Sequence, residues 1–115
     1  MRSLKALFKK ENHVWIACES DDLQKCFLEQ AEDEGFICLN GQNPTEMFHR
    51  QFYGIDQNMS VGYVSAMNWF LSAKCPGHVI STLTGEYIID PFRVDYGKYI
   101  AGEEDYFIHM HPSKN

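Results

Sequence analysis

Positive charge is scarce in this sequence and long apolar runs are missing, and these two shortages exclude more function classes than any residue it contains. Ten Lys and Arg stand against sixteen Asp and Glu, a formal charge of −6 with the histidines neutral. Direct nucleic-acid binding draws most of its affinity from basic groups that neutralise phosphates, so the balance argues against it. No stretch approaches the roughly 18 apolar residues that cross a bilayer, so no membrane partner is expected. The opening MRSLKALFKK starts basic but lacks the apolar core of a secretory signal. With four prolines and eight glycines the chain is neither collagen-like nor low in complexity. GxSxG and HExxH motifs and a phosphate-cradling glycine loop are also lacking, and no cofactor is expected. Cysteine is modest: Cys18, Cys26, Cys38 and Cys75, three of them inside apolar runs as buried thiols are. Without a secretory signal they are read as reduced, and the protein as cytoplasmic.

What is present is a globular composition, 44% hydrophobic and 23% charged over 115 residues. A chain of that length buries about two thirds of its unfolded surface and needs no staple. One domain over residues 1–115 is expected. Leu4, Leu7 and Phe8 are spaced as a short amphipathic helix packed on the domain. His13 to Cys18 (HVWIAC) reads as a buried strand. Ser20 and Asp21 offer caps for a helix with Leu23, Cys26, Phe27 and Ala31 on one side, Asp21 and Gln24 resemble a capping box, and Gly35 ends the helix. Phe36 to Leu39 predicts a second strand closed by Asn40-Gly41, a tight-turn dipeptide. Asn43 and Pro44 then open a short helix with Met47, Phe48 and Phe52 beneath it. Residues 54–58 read as loop, and residues 60–72 fit strand or helix equally. His78 to Leu83 and Glu86 to Ile89 pair as a hairpin around Gly85, Asp95 caps a short helix stopped by Gly102, and Tyr106 to Met110 makes a last strand. The sum is an α+β fold, a mostly antiparallel sheet with one main amphipathic helix on one face.

Two chemical constellations stand out. His78 and Asp90, on neighbouring predicted strands, resemble the histidine and acid strands of papain-like and transglutaminase-like cysteine enzymes. There the histidine accepts the thiol proton and the acid orients the ring. Such a site needs a nucleophile, and the candidate, Cys18, stands among Glu19, Asp21 and Asp22, whose field raises a thiol pKa. Cys75 and His78 have zinc-ligand spacing, and His109 and His111 lie on one face of a strand, so these four are the alternative metal set. No second paired motif supports it.

Eight Phe, six Tyr and two Trp exceed what the core requires. Tyr53, Tyr63, Trp69, Tyr96 and Tyr99 are the amphipathic ones that suit an interface, and a homodimer is compatible with the same surplus. The stretch His13–Gly41 resembles the opening of small proteins encoded by prophages and integrative elements of Gram-positive bacteria: a strand, an acidic helix ending in Glu-Gly-aromatic, and a strand closed by a glycine turn. Residues 93–102 (RVDYGKYIAG) are similar to their closing segments. The group includes anti-CRISPR and other anti-defence proteins. The resemblance implies a non-enzymatic, acidic protein-binding module directed at a protein partner, one that handles nucleic acid and is itself basic. Glu29, Glu32, Asp33 and Glu34 on the acidic helix, with Tyr96 and Tyr99, are the expected contact residues.

Overall fold

Strand β1 (His13–Ala17) is apolar on both sides of its pleat, and this sets the fold. Side chains alternate along a strand, so Val14 and Ile16 point to one face and Trp15 and Ala17 to the other, and both faces need a cover. The computed structural model describes residues 2–9, 13–74, 78–82, 85–89 and 92–108, with the backbone alone at 9, 13, 71–74, 78–82 and 85–89. Helix α1 (Asp21–Asp33) supplies the cover on the Val14 side. Its buried residues Phe27, Leu28 and Ala31 join Val14, Ile16, Tyr53, Ile55, Val61 and Val94 in the main core.

Both ends of α1 are fixed by local chemistry. Ser20 Oγ accepts from Leu23 N at 3.2 Å, which satisfies one of the unpaired first-turn donors. Gln24 does not complete a capping box with Asp21; its amide reaches back to Cys18 O at 3.0 Å. At the other end Gly35 takes φ +95°, Gly35 N donates to Glu32 O and Phe36 N to Ala31 O. This pair of bonds is the Schellman closure, which drops Phe36 into the core.

Five strands form one sheet in the order β2 (Ile37–Cys38), β4 (Ser60–Tyr63), β3 (Phe52–Asp56), β1, β7 (Phe92–Asp95). The centre is antiparallel, β1 with β3 and β3 with β4, while both flanks, β2 with β4 and β1 with β7, are parallel. Strands β5 (His78–Thr82) and β6 (Gly85–Ile89) make an antiparallel hairpin that forms a sheet of its own. Helix α2 (Ala66–Lys74) begins where Ser65 Oγ accepts from Asn68 N. It covers part of the second face with Trp69, which stacks on Phe52 at 4.3 Å and lies 6.2 Å from Trp15. Helix α3 (Tyr96–Ile100) is capped by Asp95 and followed by Gly102 at φ +84°, as its sequence predicts. The fold is α+β in one body around α1.

Several local expectations are corrected. Of the loop expected at residues 54–58 only 57 and 58 are a turn, since β3 runs through Asp56; residues 60–72 hold both a strand and a helix start. The second strand is only Ile37–Cys38, and Gly41, at φ +88°, donates to Cys38 O within a loop instead of joining two paired strands. Asn43 does open a capped turn, but it is the single 3-10 turn Pro44–Glu46: Met47 is buried, Phe48 is exposed and Phe52 starts β3. In place of the last strand, residues up to 108 show one bridge between Val94 and Phe107; the rest of that prediction lies outside the described residues.

Gly54 and Gly62 face each other across β3 and β4, and their surroundings predict opposite responses to alanine. A Cβ on Gly54 would stand 3.2 Å from Val64 Cγ2 and 3.3 Å from Trp15 Cδ1, whereas one on Gly62 would meet only Leu39 Cδ1 at 3.6 Å. Gly54→Ala is therefore expected to cost about 1–3 kcal/mol through overpacking. Gly62→Ala should be neutral or stabilise by up to about 1 kcal/mol, since the flexible residue is removed without a clash. Urea midpoints of the two variants check the contrast, and equal shifts would contradict the packing of Trp15 over Gly54.

Candidate functional site

The four acidic residues at the end of α1 divide into two pairs. Glu29 and Asp33 are exposed. Glu32 is exposed too, but its Oε1 accepts from Thr45 N at 3.1 Å and from Thr45 Oγ1 at 2.6 Å, so it ties the Pro44–Glu46 turn to the helix. The Thr45 hydroxyl first, and then its backbone N–H, hold the Glu32 carboxyl below its usual pKa. Glu34 reaches the other way, to the 3-10 turn Lys5–Lys9. Its two oxygens accept from Ser3 Oγ, Leu4 N, Lys5 N and Gln30 Nε2, all between 2.8 and 3.1 Å. Partial burial pushes the Glu34 carboxyl up, but these four bonds outweigh it and the net displacement is downward. Of the four expected contact residues, Glu32, which is exposed, and Glu34, which is half-buried, thus also act as clamps within the chain.

Tyr96 and Tyr99 are corrected as well, because both are buried. Tyr96 donates to Gln30 Oε1 at 2.7 Å, and burial is the main reason its phenol is pushed far up in pKa. Tyr99 donates to Ser3 O and carries the Arg2 guanidinium over its ring at 5.2 Å. A buried tyrosine needs a partner for its hydroxyl, and here each finds one on a distant segment. Tyr53 and Trp69 are core too; of the five amphipathic rings only Tyr63 is exposed.

Of the cysteine-enzyme set, Cys18 lies among the described side chains, and its surroundings are not those of an activated thiol. That residue is fully buried at the end of β1, and burial, followed by the nearby Cys26 and Asp95, pushes its thiol far above the normal range. A thiol that stays protonated and inaccessible is no nucleophile. His78 opens β5 opposite Ile89, while Asp90, Cys75, His109 and His111 lie outside the described residues. Among the described residues no group of three or more His, Cys, Asp or Glu is placed to hold a metal ion.

Sequence reasoning missed the segment between Met47 and β3. Tyr53, buried under it, donates to Phe48 O at 2.7 Å and accepts from Arg50 N at 2.8 Å, with its phenol pushed up to about 12, chiefly by burial. Tyr63 accepts from Phe48 N at 2.7 Å. These bonds hold Phe48 outward. The Arg50 guanidinium lies over both exposed rings, 5.2 Å from the Phe48 centroid and 5.9 Å from that of Tyr63. His49 Nδ1 stands 2.6 Å from Asp21 Oδ1 on α1, and the two elements enclose an open cleft of about 200 Å³ lined by Lys25, Leu28, Glu29, Thr45 and His49. The only available signal was the concentration of Phe48, His49 and Arg50 after a one-turn helix. No family model matches the chain, and neither a curated protein nor a solved structure matches it.

Proposed function

We propose that this chain is a non-enzymatic protein-binding module of phage or mobile-element origin, acting in the cytoplasm as an anti-CRISPR or other anti-defence inhibitor of a basic, nucleic-acid-handling protein. The observation that carries this reading is the solvent side of α1. Asp22, Glu29 and Asp33 are exposed there, and Lys25 is the only basic residue of the helix. A rigid surface of one sign steers a partner of the other sign and sets the register of docking. The acidic balance of the whole chain adds a long-range field of the same sign.

The test reverses only the free charges. Asp22→Lys, Glu29→Lys and Asp33→Lys leave the clamps Glu32 and Glu34 intact, so the fold persists. Affinity for a purified CRISPR effector nuclease, measured across a salt series, should fall about tenfold or more for the triple variant and depend less steeply on salt. An unchanged affinity and slope would overturn the electrostatic basis of the proposal.

A further inference from the structure

Two exposed rings on this surface stand at a backbone segment that is held more firmly than a solvent-facing loop requires. Phe48 is 69% exposed and Tyr63 47% exposed, yet Tyr63 and Tyr53 between them bond both the N–H and the C=O of Phe48. The segment carrying Phe48 has no regular structure of its own; its conformation is set by hydroxyls from β3 and β4. Rigid, exposed aromatics ringed by polar groups are the usual anchors of protein interfaces, because little side-chain freedom is lost when they dock.

The rings also show which chemistry they accept. Arg50 already lies over both of them, so the negative ring faces take a guanidinium within this chain. The next residue in the chain, His49, meets Asp21 of α1 and lines the cleft that Glu29 also lines. An acidic partner would be repelled by these groups and by the net charge of −6, and a second copy of the chain carries the same charge.

We propose that Phe48 and Tyr63 anchor a docking site for an arginine-bearing basic segment of a partner protein, its guanidinium groups shared between the ring faces and the carboxylates of α1. The site rests on the basic-partner reading above and adds an apolar anchor to it. The anchor should resist salt, while the carboxylates should not.

A fluorescein-labelled nona-arginine peptide is the probe, with nona-glutamate as its opposite, and anisotropy is read across a salt series. Phe48→Ala should weaken nona-arginine binding about tenfold with an unchanged salt slope, and Phe48→Tyr should restore it. The charge-neutralised variant with Glu29→Gln and Asp33→Asn should reduce the slope instead. Thermal melts confirm that Phe48→Ala folds, as an exposed side chain permits. If Phe48→Ala binds like the wild type while the charge variant weakens, the anchor is overturned and the acidic-surface reading stands. If nona-arginine does not bind at all, both fall. Preference for nona-glutamate, or a change in the oligomeric state of free protein on Phe48→Ala, overturns the proposal in favour of an acidic partner or a second copy respectively.

Discussion

Deleting residues 1–9 is expected to abolish the cooperative unfolding transition, or to weaken it by more than about 4 kcal/mol. Leu4 and Leu7 are fully buried, and Phe8 packs against Phe36 with ring centroids 6.1 Å apart. Full burial of a leucine contributes about 1.5–3 kcal/mol, so the two alone account for about 3–6 kcal/mol. The polar side adds to this. Glu34 would lose three of its four donors and keep a half-buried carboxylate. Removal of Arg2 also frees the Gly102 and Glu103 carbonyls that it caps at the end of α3. A truncated protein with the wild-type urea midpoint would show that this strap is dispensable. The Glu34 contribution has its own signature in pH. Its folded pKa lies below the ordinary value of 4.5, so the unfolded state binds the proton more readily. The stabilisation is complete above the ordinary value and disappears as pH falls through the lowered one. Wild type should therefore lose more stability than Glu34→Gln on acidification from about pH 6 to pH 3, and parallel losses would count against the clamp.

What the sequence discloses is what its neighbours along the chain decide. Ser20, the three-and-four spacing from Leu23 to Ala31, and Gly35 specify α1 locally, and Asp95 with Gly102 does the same for α3. β3 is different. Gly54 and Asp56 break its apolar alternation, and one of the strands that pair with it, β1 with Trp15 against Gly54, is far away in sequence. The two parallel flanks are hidden for a related reason: β2 contributes two residues and β7 four, and neither partner is adjacent in sequence. The candidate site follows the same division. An acidic helix end looks uniformly solvated, yet Glu32 and Glu34 are claimed by segments at Thr45 and at Ser3 to Lys5, which no helical spacing reveals. Tyr96 and Tyr99 read as surface because they carry hydroxyls, and they are core because Gln30 and Ser3 satisfy those hydroxyls. Phe48 is the converse case. Its spacing after Pro44 suggests an inward ring, but two tyrosine hydroxyls turn its backbone and leave the ring outside.

The second large effect is expected at Phe27, where the helix, the sheet centre and α3 meet. Its ring is fully buried, stacked 5.0 Å from Tyr53 and edge-on to Tyr96 at 5.4 Å. Phe27→Ala should cost about 3–5 kcal/mol, the transfer of the ring plus the cavity it leaves. Aromatic pairs contribute about 0.5–1.5 kcal/mol beyond area, so two lost pairs favour the upper part of that range. Few alternatives exist for filling the space. Tyr53 is pinned by Phe48 O and Arg50 N, and Tyr96 by Gln30, so neither ring can swing inward without giving up a buried hydrogen bond. Such a loss is a large share of the 5–15 kcal/mol typical of a domain, and it should lower the urea midpoint without changing the slope. A cost below about 1 kcal/mol would mean that the site collapses freely, against the hydroxyl bonds that hold its walls. Because Tyr53 is both a wall of this cavity and the support beneath Phe48, relaxation at Phe27 should also loosen the exposed ring. Phe27→Leu, which keeps most of the volume, should retain nona-arginine binding to a greater extent than Phe27→Ala at temperatures where both remain folded.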